Sequence, residues 1–144
     1  SPLFHSYSLL RQHRNFLNIQ KSSNFIRRYM NYLGHNEFGI DHIAWNESIY
    51  YKNPENINYW IEQWIIFYEQ IYMNLKNKPN VKFIIYEKLI SIDYVSNIKK
   101  FLNIKFQSNY KFSCKNPKSI DVDYDKSLYD KSLGIYSKFQ NFIN

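Results

Sequence analysis

Glycine and proline are scarce in this chain, with 3 glycines and 4 prolines among 144 residues. Because these two residues most often interrupt helices and shape turns, their scarcity favours a mainly helical protein. Aromatic residues are abundant instead, with 14 tyrosines, 11 phenylalanines and 3 tryptophans. The hydrophobic share of 44% is enough for a packed core, and the length suits one domain. This composition excludes an intrinsically disordered segment.

Cysteine is nearly absent too. Cys114 stands alone, so no internal disulfide can form and nothing indicates an oxidising compartment. We therefore expect a cytoplasmic protein. The sequence has no CxxC pair and no HExxH motif, and its four histidines do not fall at metal-ligand spacings, so we expect no bound metal. No apolar run is long enough to cross a bilayer.

Acidic residues are outnumbered by basic ones, 12 against 19, which gives a formal net charge of +7. A basic chain suits nucleic acid, an anionic membrane surface or an anionic small molecule. The sequence is rich in Lys, Asn, Ile, Tyr and Phe, whose codons are AT-rich, so a base-composition bias accounts for part of the lysine. Charge alone does not choose among these partners.

Hydrophobic spacing predicts five helices, at residues 3–19, 25–33, 54–75, 93–102 and 124–143. Ser23 or Asn24 is expected to cap the second, and Gly34 to end it in a left-handed conformation. Asn53 and Pro54 predict the start of the third, and Asp93 the cap of the fourth. Trp60 and Trp64 accompany the apolar stripe of the third helix, so we expect them in the core. Residues 40–53 show no clean period, and we expect a loop or a short helix there.

Residues 81–86 (Val-Lys-Phe-Ile-Ile-Tyr) form a short β-branched and aromatic run after a turn signal at Pro79. Such a run predicts a buried strand of a parallel sheet. A single strand would leave its backbone N–H and C=O groups unpaired, so its neighbours are expected outside this chain. We therefore predict the α/β class, with residues 1–144 as the mostly helical C-terminal part of one larger domain.

The first 16 residues carry a family resemblance. Ser1-Pro2, Ser8 and the following segment 9–16 (Leu-Leu-Arg-Gln-His-Arg-Asn-Phe) resemble the 3′-phosphate-binding segment of the PAPS-dependent sulfotransferases. In that family a strand ending in Arg-x-Pro leads into a helix. The arginine and a serine eight positions later hold the 3′-phosphate of 3′-phosphoadenosine 5′-phosphosulfate (PAPS). Pro2 matches the proline and Ser8 the serine, while the arginine would precede Ser1.

Later segments resemble the same superfamily in the same order. Residues 33–39 (Leu-Gly-His-Asn-Glu-Phe-Gly) are similar to a segment of its bacterial members, as are the aromatic residues at 59–68. Residues 81–89 resemble the family's strand followed by Tyr-Glu-x-Leu, and residues 98–104 (Ile-Lys-Lys-Phe-Leu-Asn-Ile) fit as well. The resemblance implies the sulfotransferase fold, a P-loop-related parallel sheet with flanking helices.

The resemblance also implies an activity, the transfer of a sulfuryl group from PAPS to a hydroxyl or amine of a small-molecule or glycan acceptor. Ser8 is then the candidate cofactor-binding residue. Lys115 is the second, because family members often bring a basic residue back to the 3′-phosphate from this loop. The family's phosphosulfate-binding loop and its catalytic base are not found here, since GxxxxGK is absent. We therefore expect no catalytic residue in this chain and no turnover by it alone.

Two other functions stay open from the sequence. A basic helical module would contact nucleic acid through Arg11, Arg14, Arg27 and Arg28, with strongly salt-dependent affinity. A degenerate relative would bind or scaffold without catalysis. His13 and Arg14 are weaker candidates for contact with an anionic acceptor, and the alternative for Ser8 is a solvated position on a helix surface.

Overall fold

The protein is described here by a computed structural model, which covers residues 1–104, 113 and 120–141. In these residues the α-helices are α1 Pro2–Ser22, α2 Asn24–Tyr32, α3 Ile57–Leu75, α4 Ile92–Leu102 and α5 Lys126–Asn141, with a 3₁₀ helix at Tyr86–Ile90. Helices α1, α3 and α5 pack against one another, α2 folds back on α1, and the 3₁₀ helix contacts α4.

The predicted strand at residues 81–86 is wrong, and with it the α/β class. Residues 81–85 have no regular structure, Tyr86 begins the 3₁₀ helix, and no strand occurs anywhere in the described residues. The apolar side chains of this run pack on helices instead, with the Phe83 ring 4.7 Å from that of Phe139. The Ile85 N–H donates to the Tyr94 hydroxyl at 2.8 Å. β-propensity largely reflects side-chain packing, which helices supply here.

The predicted helices are all present, and the ends that fall within the described residues differ by a few positions; the predicted end of the fifth helix at residue 143 lies outside them. Ser23 caps α2 as predicted, accepting from the Ile26 N–H at 3.4 Å. Gly34 follows α2 with a φ of +73°, the left-handed conformation expected of it. Helix α4 is capped by Ser91 rather than Asp93, which lies in its first turn. Serine at this position lets the acidic side chain face the positive end of the helix dipole.

Helix α3 starts later than predicted. Asn53 forms a local turn, in which its side chain accepts from the Glu55 N–H at 2.9 Å. Asn56 is the cap of α3 and accepts from the Asn58 N–H at 2.9 Å. Two Asn residues three positions apart can each begin a turn, so the pattern did not decide between them.

Trp60 is the centre of the core. Its side chain is fully buried, and its indole N–H donates to the Pro54 carbonyl at 2.8 Å. Its ring lies within 6 Å of five others, those of His13, Phe38, His42, Trp45 and Tyr59. Trp64, one turn further along, is also buried. The prediction that both tryptophans belong to the core is confirmed.

The segment between α2 and α3 has no helix, and buried side chains of the helices hold it in place. The Gln20 side chain accepts from the Ile40 N–H at 2.7 Å, and His13 Nδ1 accepts from the Gly39 N–H at 3.2 Å. Gln63 bonds both the N–H and the carbonyl of Asn46, at 3.0 and 2.9 Å. These bonds satisfy loop backbone groups that would otherwise lose water on burial.

Gly39 is required by this packing, and the variant Gly39→Ala tests it. Gly39 has a φ of +93°, and an added Cβ would clash with the Gln20 amide. We expect Gly39→Ala to lower the free energy of unfolding by about 2 kcal/mol or more, measured by urea denaturation. Gly134→Ala is the matched control, because a Cβ there meets nothing within 4 Å. Alanine in the middle of α5 should stabilise the protein by about 0.5–1 kcal/mol.

The buried His13 makes stability depend on pH. Burial, and next the neighbouring His42, lower the pKa of His13 from 6.5 to about 4. Below pH 6.5 the unfolded chain therefore takes up a proton that the folded protein does not. The free energy of unfolding should fall between pH 6.5 and pH 4, by up to about 3 kcal/mol.

His13→Asn keeps an acceptor near the Nδ1 position and removes the titration, so it should flatten part of this slope. His35→Asn is the control, since His35 is exposed. Equal slopes for the two variants in urea unfolding at pH 4–7 would contradict the role given to His13.

Candidate functional site

A cavity of about 530 Å³ lies between α1, α3, α5 and the end of the segment 81–85. Its size falls within the range of about 300–1,000 Å³ that is typical of small-molecule sites. The part of its lining that matters below is Ser1, His5, Ser8, Arg11, Trp64, Tyr68, Glu87 and Tyr136. We call this cavity the α1 pocket.

Helix α1 has one face in the core and another that lines the α1 pocket. One face is buried, chiefly against α3, through Pro2, Ser6, Leu10 and His13. The other carries His5, Ser8 and Arg11, with Ser1 before them at the helix N-cap, all three or four positions apart, and lines the α1 pocket. Residues at this spacing lie on the same side of a helix. Burial of the first face therefore fixes which polar side chains reach the cavity.

Ser8 and Arg11 are exposed neighbours on the pocket face. Arg11 is the one arginine or lysine among the described residues that line the cavity. A serine hydroxyl and a guanidinium one turn apart are donors suited to an anion, because the guanidinium can bind two oxygens at once. This pair is the part of the site that could hold a phosphate group.

Glu87 supplies a negative charge at the other wall of the α1 pocket. Its carboxylate accepts from the Ser1 nitrogen and, at 3.0 Å, from the Tyr136 hydroxyl. Burial raises the pKa of Glu87, but the bonds from Ser1 and Tyr136 outweigh it and the net pKa is lowered. Burial, and next Glu87, raise the pKa of Tyr136, so its phenol stays a donor. Both carboxylate oxygens are thus engaged by the protein.

His5 also lines the α1 pocket. The indole N–H of Trp64 donates to His5 Nδ1 at 3.1 Å, and the Tyr68 hydroxyl lies 3.5 Å from the same nitrogen. The Trp64 and Tyr68 rings stack on each other with centroids 4.4 Å apart. His5 is itself exposed, yet desolvation by these neighbours, and next the charge at the Ser1 nitrogen, lower its pKa below 6.5. The imidazole is therefore neutral at pH 7.

The structure gathers some of the residues singled out from the sequence and separates others. Ser8 lines the α1 pocket, whereas Lys115 lies outside the described residues. His13 is 2% exposed and belongs to the core around Trp60. Arg14 donates to the Glu55 carbonyl at 3.0 Å. Neither His13 nor Arg14 lines the pocket.

Sequence reasoning missed His5 and Tyr136 as parts of a site. The recurrence of Ser1, His5, Ser8 and Arg11 at helical spacing was a usable signal, but a polar stripe of this kind usually faces solvent. The pairing of Tyr136 with Glu87 joins residues 49 positions apart, and no local pattern reports such a contact.

The arginines considered for nucleic acid do not form one free basic surface. Arg27 donates to both carboxylate oxygens of Asp41, at 2.6 and 2.5 Å. Asn31 donates to the same carboxylate at 2.8 Å, and these bonds lower the pKa of Asp41 to about 2, the Arg27 bond most. Arg27 thus fastens α2 to the following loop, while Arg11 belongs to the α1 pocket.

Within residues 1–104, 113 and 120–141, no three His, Cys, Asp or Glu side chains are grouped so that they could hold a metal ion. None of the helices in that part of the chain is long and apolar enough to cross a membrane. Compared with protein-family models, curated proteins and solved structures, the chain has no match. The family resemblance therefore depends on the sequence segments themselves.

The Tyr136–Glu87 bond should contribute more to stability while Glu87 is ionised than when it is protonated. Because the pKa of Glu87 is lowered in the fold, its contribution is present above about pH 4.5 and is lost as pH falls through the folded pKa. Tyr136→Phe should lower the free energy of unfolding at pH 7 by about 1–2 kcal/mol, and by less at pH 3. Tyr129→Phe, in the same helix but outside the pocket, is the control for urea unfolding. A loss that is equal at both pH values would contradict this account.

Proposed function

We propose that this chain provides the 3′-phosphate subsite of a PAPS-dependent sulfotransferase, which transfers a sulfuryl group from PAPS to a hydroxyl or amine of a small-molecule or glycan acceptor. One observation carries the proposal. Ser8 and the residues 84–87 line the same cavity, although they are far apart in sequence. The resemblance selects both segments separately, and their meeting at one cavity supports the proposal.

The donors of the α1 pocket suit a phosphate ester. A phosphate group presents several acceptor oxygens and negative charge, and Ser8 and Arg11 offer a hydroxyl and a guanidinium on adjacent turns. Arg11 does not occupy the position of the family's arginine, which would precede Ser1. In this proposal Arg11, which is part of helix α1, supplies the positive charge that binds the phosphate.

The rest of the cavity suits a nucleoside. Phe4, Tyr7 and Ile84 line it together with the stacked pair Trp64 and Tyr68. Aromatic faces bind bases by stacking, with about 1–3 kcal/mol per base. The pocket thus combines an apolar wall with a small number of polar groups, as ligand sites generally do.

Sulfuryl transfer also needs positive charge at the leaving phosphate and a base for the acceptor proton. The sequence contains no GxxxxGK loop, and the described pocket offers one arginine for such charge. The helical fold lends no support to the family assignment, so the proposal depends on the pocket and on the sequence segments that resemble the family. We propose binding by this chain, without turnover by it alone.

The test is the binding of 3′-phosphoadenosine 5′-phosphate (PAP) compared with AMP, measured by calorimetry at fixed salt. We expect PAP to bind at least about tenfold more tightly, because a charge-assisted phosphate contact contributes about 1.5–3 kcal/mol. Ser8→Ala and Arg11→Gln should each remove part of this preference and leave AMP affinity nearly unchanged. Ser22→Ala and Arg28→Gln, on α1 and α2 outside the pocket, are the matched controls.

Equal affinity for PAP and AMP would overturn the proposal. Tight binding of an oligonucleotide, falling steeply with salt and sensitive to Arg28→Gln, would favour the nucleic-acid function instead.

A further inference from the structure

We infer that His5 is a neutral hydrogen-bond donor to the bound anion through Nε2–H, in a tautomer that Trp64 fixes. The identity of the anion rests on the proposed function. The tautomer itself is a property of the free protein and can be measured without any ligand.

The direction of the Trp64–His5 bond follows from chemistry. An indole N–H can only donate, so the His5 Nδ1 atom 3.1 Å away must be the acceptor and carries no proton. A neutral imidazole then has its proton on Nε2. The Tyr68 hydroxyl lies 3.5 Å from the same nitrogen, and a hydroxyl can donate to an unprotonated Nδ1 as well.

Burial of the Trp64 indole makes this arrangement costly to reverse. Trp64 is 4% exposed, so its N–H would lose its partner if the imidazole turned over or gained a proton on Nδ1. An unsatisfied buried donor costs about 1–3 kcal/mol. The desolvation that lowers the pKa of His5 acts in the same direction. The ring therefore stays neutral and keeps one orientation.

The position of His5 directs this donor to the site. His5, Ser8 and Arg11 succeed one another every three residues on the pocket face of α1, a rise of about 4.5 Å per step. The three side chains thus form a row of an imidazole N–H, a hydroxyl and a guanidinium. The other charged or titratable groups that line the cavity are the nitrogen of Ser1, Tyr7 and Arg11 on α1, Tyr68 on α3, Tyr86 and Glu87 of the 3₁₀ helix, and Tyr136 on α5.

Glu87 explains why a neutral donor is useful here. A positively charged imidazole would be drawn to this carboxylate, which already raises the pKa of His5 to a small extent. His5 is neutral and its Nδ1 accepts from Trp64. Its Nε2–H is therefore not drawn into an ion pair with Glu87. His5, Ser8 and Arg11 can then bind an anion without an ion pair forming between His5 and Glu87.

The first measurement is the tautomer of His5 in the free protein at pH 7.5, by long-range ¹H–¹⁵N correlation NMR. We expect the pattern of an Nε2–H imidazole. In Trp64→Phe the Nδ1–H form should become populated and the pKa of His5 should rise toward 6.5. Trp45→Phe, at an exposed tryptophan outside the pocket, is the control. An Nδ1–H pattern in the unaltered protein would overturn the inference.

The second measurement compares two replacements of His5 in PAP binding. Glutamine can place an amide N–H near the Nε2 position, and asparagine places its amide near Nδ1. We expect His5→Gln to keep PAP affinity within about threefold, and His5→Asn to lower it about tenfold, which is about 1.4 kcal/mol. Equal losses in the two variants would also overturn the donor role.

A titration of inorganic phosphate, followed at the His5 ring resonances, separates this inference from the proposed function. If phosphate shifts those resonances and PAP binds no better than AMP, His5 is a donor to anions and the sulfotransferase assignment fails. If neither phosphate nor PAP shifts them, the donor role of His5 is overturned.

Discussion

The contact between Ser6 and Trp60 is the constraint on which the other features depend. Ser6 is fully buried between α1 and α3, and its hydroxyl donates to the Trp60 carbonyl at 3.3 Å. A small side chain at this point lets the two helices approach closely while its polar atom stays satisfied. With Ser6 and Leu10 held against α3, the rotation of α1 about its own axis is fixed. That rotation turns His5, Ser8 and Arg11 toward the α1 pocket.

The buried polar residues of this protein mainly hold backbone rather than one another. His13, Gln20 and Gln63 each bond a main-chain group of the loop between α2 and α3. That loop packs on Trp60 through Phe38 and His42, so its backbone groups are shielded from water. Buried backbone groups need hydrogen-bond partners. No neighbouring strand is present in this part of the described chain, so side chains of the helices act as the partners. The same device recurs at Ile85, whose N–H is taken by Tyr94.

Much of the helical framework could be predicted from the sequence, because helix periodicity and capping act over a few residues. The cap at Ser23 and the left-handed Gly34 are local features of this kind. The partner of Glu87 and the acceptor of the Trp64 indole are set by contacts 49 and 59 positions apart, which no local pattern contains. The faces of α1 lie between these cases. Their spacing is visible in the sequence, but which face is buried depends on where α3 lies.

The segment 81–85 is buried against the helices, although the strand predicted there is wrong. The run of Val, Phe and Ile predicts a strand by its composition, yet this composition indicates only that the side chains are buried. Ile85 is 6% exposed, and Phe83 packs on Phe139 of α5. Burial against α5 brings Glu87 to the Tyr136 hydroxyl, and so to the pocket, whatever hydrogen bonds the backbone of 81–85 forms. Burial of the apolar side chains, rather than the type of secondary structure, thus brings Glu87 to the pocket.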